Sequence, residues 1–346
     1  MANTSILVYE TTAAEKEPDY QLMQDVYNFL YKYVLVIVAI VGIPGNFVTM
    51  LVNLRAHNRK LSVCVYMTAT AIADNVVLVA AVSYLVCVTW GFGSAIQGSF
   101  REVFFHIANI LRLEWYLAFC PAMLSGLFLA EMSVDRLIAV AFPMAATRLC
   151  TNKRAYITVG VTTAIIAPLN INIFYTYQHY EDKDTGLETL ITDFENQDIE
   201  MLVSAFQLFF GTACPFAVII MSNIVIIFKL KKASEERSEM QGGAGNTEKT
   251  NYLTRMLLFV SFAYVVTSIP YRLYFFIMDT PVLTKMYVMT ERYWSLRYNL
   301  QYVFFLTLWY CNFAINFPLY CIGGGHRFRN DTKYILRYCD VRRVKH

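Results

Sequence analysis

The sequence predicts an all-α membrane protein, a seven-transmembrane helix bundle followed by a C-terminal amphipathic surface helix. Composition is the first reason. Of 346 residues, 57% are hydrophobic and only 16% charged, where a soluble chain carries roughly 25% charge. The second is clustering: the apolar residues gather in seven blocks, at approximately 31–54, 62–89, 102–137, 154–176, 200–229, 252–279 and 295–321. Such blocks cross a hydrocarbon layer of roughly 30 Å as helix, and an open strand edge is not tolerated in lipid. The third is the placing of Lys and Arg, which mark cytoplasmic connections. Arg55, Arg59 and Lys60 follow the first block, and Arg148, Lys153 and Arg154 the third. Lys229, Lys231, Lys232 and Arg237 follow the fifth, and Arg327, Arg329, Lys333, Arg337, Arg342, Arg343 and Lys345 the seventh. The N-terminus is therefore expected outside and the C-terminus inside. The net charge of +3 says little about partners, and no nucleic-acid partner is expected.

Residues 1–30 read as an extracellular polar tail without the basic start and apolar core of a cleavable signal peptide. Asn3-Thr4-Ser5 is a glycosylation sequon if that tail is outside, although such triplets are frequent by chance. Residues 31–321 form the transmembrane domain. Pro44, Pro121, Pro168, Pro215, Pro270 and Pro318 fall inside apolar blocks and predict kinks. The third block ends in Asp135-Arg136. An acid and a base at the end of a spanning run are costly to desolvate and are read as functional; the bland alternative is a static interfacial ion pair.

The connection between the fourth and fifth blocks carries Glu181, Asp182, Asp184, Glu188, Asp193, Glu195, Asp198 and Glu200 against a single Lys. It can steer a basic peptide or simply be solvated. Lys231–Thr250 reads as a flexible linker, with Ser234 and Ser238 as phosphorylation candidates. Residues 322–346 form the surface helix and tail. Phe328, Tyr334, Ile335 and Tyr338 interleave there with basic residues, the pattern of a helix lying on the inner leaflet. Cys339 at its end is a palmitoylation candidate, with a free thiol as the alternative. None of the eight cysteines pairs two expected extracellular loops, so no disulfide framework is read.

Seven spans with this order of polar marks resemble a rhodopsin-like (class A) G-protein-coupled receptor, over roughly residues 31–338. Gly45-Asn46 resembles the family's mark in the first span, and Asp74 stands at its acidic position in the second. SVDRLIAVAFP resembles the DRY motif, with Leu137 in place of Tyr and Pro143 at the expected offset. Pro215 and Pro270 match the kinks of the fifth and sixth spans. Asn316-Phe317-Pro318-Leu319-Tyr320 resembles NPxxY with the Pro displaced by one residue. Within the family the chain looks most similar to invertebrate neuropeptide-like or orphan chemosensory receptors.

The resemblance implies a receptor and not an enzyme, in the plasma membrane, with an extracellular ligand, a heterotrimeric G protein, arrestin and membrane lipid as partners. A peptide is one candidate ligand. Arg136 would be held by Asp135 at rest and released towards the G protein and Tyr320, with Asn316 in the same switch. Asp74, Ser125, Asn312 and Asn316 fall where the family builds an internal site for allosteric Na⁺; the alternative is a hydrogen-bonded cluster without an ion. No covalent cofactor is implied.

The departures matter as well. Leu111 replaces the cysteine that usually ties the third span to an extracellular loop, and that loop has none. Ser268 stands in place of the sixth-span Trp, with Tyr264 one turn below. Asn223 replaces a fifth-span Tyr, and Thr250 stands where a partner acid for Arg136 would be. A weak resting lock is expected. Ala118 discounts an aminergic receptor and Tyr310 an opsin. Candidate pocket residues are Glu114, Trp115, Tyr271, Arg272, Tyr298 and Tyr302, together with Arg112, Tyr274 and Arg297. Arg272 can meet a ligand oxygen or pair with Glu114, and both stay open.

The rival reading is a seven-helix transporter or channel. It calls for repeat symmetry and paired half-helices, which the sequence does not offer. An intramembrane hydrolase built on Ser125-Gly126 lacks a histidine at comparable depth.

Overall fold

In the computed structural model, residues 18–55, 58–89, 107–172, 174, 177–181, 188–192, 202, 205–239, 247–278 and 292–343 are described. Six helices are long and apolar enough to cross a membrane, and a bent pair, Asn299–Ala314 with Asn316–Gly323, makes a seventh span. Ile40, Phe47, Ile165, Met221, Phe228 and Phe262 are exposed, as a lipid-facing surface requires. The second and third spans are the centre of the bundle: 67% of the apolar stretch of each is buried, against 17% in the fourth.

The first helix starts at Pro18, ahead of the expected limit at 31, and runs through a π turn at Leu30–Val34 to Asn53. Proline suits a first helical turn, and the exposed Leu22, Val26, Phe29 and Tyr33 recur along one face. The segment reads as polar by count, yet its apolar residues have helical spacing. Gly42 lets the first span approach its neighbours. A Cβ there would lie 2.6 Å from Leu78 Cδ1 and 2.7 Å from Ala314 Cβ, so the three-span contact depends on a residue without a side chain.

The second span is Ser62–Thr89 and the third Ile107–Ala141, which passes its expected end at 137. Phe142 breaks the third helix before a short one at Pro143–Leu149. The fourth span, Asn152–Leu169, is capped by Thr151, whose hydroxyl accepts from the Arg154 amide at 3.4 Å. Pro168 precedes its 3₁₀ finish at Asn170–Asn172. In the fifth span a π turn at Phe209–Ala213 leads into Cys214–Glu239, just where Pro215 removes a backbone donor. The sixth span is Thr247–Met278, with Pro270 inside.

Two expectations change here. The linker expected at Lys231–Thr250 is helical at both ends, because KKASEERSE consists largely of strong helix formers. Only its Gly-rich centre, 240–246, falls outside the described residues. The acidic connection holds an antiparallel hairpin, Tyr177–Glu181 with Glu188–Thr192, in which Tyr177 faces Thr192 and Glu181 faces Glu188.

The seventh span runs Arg292–Ala314, bends by 52° at Ile315 and continues as Asn316–Gly323. Pro318 has no N–H to offer the Ala314 carbonyl, so the helix ladder opens where the bend lies. The surface helix, Gly325–Arg343, follows at once. Its Phe328 is buried against Tyr320, with ring centroids 5.9 Å apart. Asp331 pairs with Arg55 and accepts a 3.0 Å bond from Asn58 Nδ2. The Arg55 guanidinium also lies 4.3 Å from the Tyr334 ring centroid. Asn3 and the side chain of Cys339 lie outside the described residues.

Candidate functional site: a switch, a polar centre and an aromatic cavity

At the end of the bundle that carries the basic connections, Asp135 is buried and gathers several donors. Arg136 bonds its Oδ2 through Nε at 3.1 Å and through Nη2. Ser62, from the start of the second span, donates to the same oxygen at 3.0 Å. The Cys150 thiol donates to the Asp135 backbone carbonyl at 3.3 Å. Burial, and then the nearby Asp135 charge, push that thiol up to about 11, while Arg136 pulls the other way. It therefore stays a neutral donor at physiological pH. Among the described residues the ion pair of Arg136 is with Asp135, so the two expected partners are together and the pair is closed.

Tyr320 is not part of that pair. It is 1% exposed, sits in the apolar cluster with Phe328, Met256 and Tyr264, and its hydroxyl has no hydrogen-bond partner among the described residues. The sixth span presses close here: a Cβ at Gly323 would lie 2.6 Å from Met256 Cα.

At mid-depth, Asp74 is fully buried. Ser125 Oγ donates to its Oδ1 and Asn316 Nδ2 to its Oδ2, each at 2.6 Å. Asn312 is engaged elsewhere and accepts from Thr267 Oγ1 of the sixth span at 3.3 Å. Asp74, Ser125 and Asn316 thus meet as expected, and Asn312 does not join them. A carboxylate, a hydroxyl and amide oxygens are hard donors of the kind a small cation takes. In the present arrangement Asn316 offers Asp74 its N–H, which satisfies the carboxylate; cation binding requires its oxygen to turn in. Asn46 Nδ2 donates to the Phe313 carbonyl at 2.9 Å, tying the first span to the seventh just before the bend.

At the opposite end, residues of the first, second, third, sixth and seventh spans line an open-mouthed cavity. Glu114, Trp115, Tyr271 and Tyr302 line it as expected. Glu114 is buried, and its Oε2 has no hydrogen-bond partner among the described residues. Tyr298 has no described side chain. Arg272 departs from the expectation. It does not line the cavity and, among the described residues, makes no ion pair with Glu114. Instead its guanidinium lies 5.3 Å from the Trp309 centroid and 6.0 Å from that of Phe119. Aromatic faces offset part of the cost of burying this cation.

Trp309 is the residue sequence reasoning missed. It is 3% exposed, stacks on Tyr271 at 4.9 Å and meets Phe313 edge-on at 5.0 Å. An indole of the seventh span thus lines the cavity, whereas the sixth span has Ser268 in place of one. Its signal was its place one turn before Phe313 on the same helix face. Tyr264, the expected substitute, does fill space: a Cβ at Gly126 would lie 2.7 Å from its hydroxyl. Ser62 was also missed, because a lone serine at a helix start reads as a cap.

Comparison with known proteins agrees with this layout. The family model described as 7 transmembrane receptor (rhodopsin family) matches residues 45–320. Cysteinyl leukotriene receptor 1 of Cavia porcellus is 26% identical over 322 residues, 92% of this chain and 88% of that relative. The Mus musculus protein of the same name is 26% identical over 275 residues, 76% of this chain and 70% of the relative. Proteinase-activated receptor 1 of Xenopus laevis is 26% identical over 213 residues, 58% of this chain and 46% of the relative. The chain belongs to the rhodopsin family of seven-transmembrane receptors, multi-pass membrane proteins that act as receptors and not as enzymes.

Proposed function

We propose that this receptor holds an extracellular ligand in its aromatic cavity and reports occupancy to a heterotrimeric G protein by exchanging the partner of Arg136. The observation that carries the reading is the closed, buried cluster of Asp135, Arg136 and Ser62 at the basic end of the bundle. A guanidinium held between a carboxylate and a hydroxyl is stable as it stands, and it can change partners when packed helices move. Tyr320, whose buried hydroxyl lacks a partner among the described residues, is the proposed new contact. The proposed route inward runs from the cavity through Trp309 and Phe313 to Asn316 and Asp74. On this reading the basic end is cytoplasmic, the N-terminus is outside, and arrestin competes for the same face.

The direct test is G-protein activation in cells exposed to a panel of peptides. Arg136→Ala is expected to abolish ligand-driven activation while surface expression persists; substrate flux without any G-protein coupling would sink the reading. Asp74, Ser125, Asn312 and Asn316 are the proposed seat of an allosteric Na⁺. There, agonist affinity should depend on sodium in the unmodified receptor and lose that dependence in Asp74→Ala.

A second ligand reading gives this chain what two of its relatives are named for, a cysteinyl leukotriene. The likeness along 92% of the chain favours it, and binding of a labelled cysteinyl leukotriene tests it.

A further inference from the structure

We propose that the aromatic cavity takes a ligand bearing a cationic nitrogen, which pairs with Glu114. This rests on the reading of the cavity as the ligand site. Glu114 is the one charged side chain among the described residues that line it. The residue is 9% exposed, and one carboxylate oxygen is buried without a hydrogen-bond partner among the described residues. A carboxylate left in that state is costly, and a positive group beside it removes the cost.

The walls suit the same ligand. Tyr31, Tyr84, Trp115, Tyr302 and Tyr310 line the cavity around Glu114, and ring faces attract cations, the arrangement used to hold quaternary and protonated amines. Ala118 lines it too, four residues after Glu114 and so on the same helix face, and its methyl leaves space beneath the carboxylate. Arg272, which would favour an anion, is engaged with Trp309 and Phe119 and does not line the cavity.

The hairpin between the fourth and fifth spans is an independent sign. Its register sets Glu181 opposite Glu188, and its first strand touches the third span. The connection that contains the hairpin carries eight acids against a single Lys, a charge that draws cations and repels anions.

The test uses the full receptor purified into phosphatidylcholine nanodiscs, with thermal unfolding as the readout. The probes are phenethylamine, phenyltrimethylammonium, phenylethanol and phenylacetate, matched in size and differing in charge. Lys-Phe-amide joins them as a peptide source of the same cationic nitrogen. The cations should raise the midpoint, and the alcohol and the acid should not. Glu114→Gln should raise the half-effective amine concentration by about tenfold or more, while Glu114→Asp should retain most of the effect. The wild-type comparison decides the matter even if the Gln variant fails to fold. Greater potency of Lys-Phe-amide than of phenethylamine supports a peptide source, and the reverse supports a small amine.

Stabilisation by phenylacetate at least equal to that by the amines overturns the proposal. So does an absence of effect from every cation at millimolar concentration, or an amine effect unchanged in Glu114→Gln. Basal G-protein activation and its loss in Arg136→Ala are scored separately. Coupling without cation preference rejects this proposal alone, while cation preference without coupling counts against the proposed G-protein switch at Arg136 and supports the chemistry of the cavity.

Discussion

Three hydrogen bonds converge on one oxygen of Asp135, two from Arg136 and one from Ser62. The two sources differ in weight. Arg136 brings charge, whereas Ser62 brings a single neutral donor from a different span, so Ser62 joins the second span to the third at the proposed switch. Ser62→Ala is expected to weaken the closed state by about 1 kcal/mol, a several-fold rise in basal G-protein activation with ligand response retained. Asp135→Asn removes the countercharge of a largely buried guanidinium and should raise basal activation further. A dose-matched expression series separates the two. If Ser62→Ala leaves basal activity unchanged while Asp135→Asn raises it, Ser62 is only a helix cap. At this scale the sequence was informative where a polar group is expensive: Asp74, Ser125 and Asn316 stand out in apolar surroundings, and they meet. Trp309 and Ser62 did not stand out. An indole in an aromatic-rich span and a serine at a helix start are cheap, and which neighbour they touch depends on helix rotation, which periodicity alone does not fix.

Helix ends show the same division. The seven spans were legible because apolar length is a strong signal, and the bend of the seventh follows from the N–H that Pro318 lacks, whereas Pro44, Pro121, Pro168 and Pro270 lie inside continuous helices. The early start at Pro18, the helical ends of the connection after the fifth span and the acidic hairpin were not legible. In each, polar residues concealed a good local pattern. Between elements, Gly323 lies against the backbone of Met256, where an added Cβ would stand 2.6 Å from Cα. Backbone gives way less readily than the end of a flexible side chain, so Gly323→Ala should push the sixth and seventh spans apart. Overpacking of this kind costs about 1–3 kcal/mol. The expected outcome is a lower thermal midpoint in the resting receptor together with higher basal G-protein activation. A lower midpoint with unchanged basal activity would mean that the contact serves packing alone.

Across the whole molecule, the seven spans and the surface helix are joined at one corner. Arg55 and Asn58, just after the first span, hold Asp331 of the surface helix, and Tyr334 lies against the same guanidinium. Phe328 anchors the helix from the other side, in the apolar cluster that contains Tyr320. Among the described residues the surface helix is therefore tied to the bundle by polar and by apolar contacts, in addition to what its amphipathic face gains from lipid. Asp331→Ala removes the polar one and leaves Arg55 and Asn58 without that acceptor, a loss of about 1–3 kcal/mol. Amide exchange across 328–337 should then quicken by roughly tenfold to a hundredfold, since about 1.4 kcal/mol corresponds to tenfold in an opening equilibrium. Lys333→Ala, on an exposed position of the same helix, should leave exchange unchanged. The effect should be larger in detergent than in nanodiscs, because a leaflet holds the helix independently of Asp331. Equal exchange in Asp331→Ala and the unmodified receptor in detergent would show that Phe328 alone holds the helix. Faster exchange that spreads to Asn316–Gly323 would instead show that the corner also steadies the bent end of the seventh span, and with it the side chain of Tyr320.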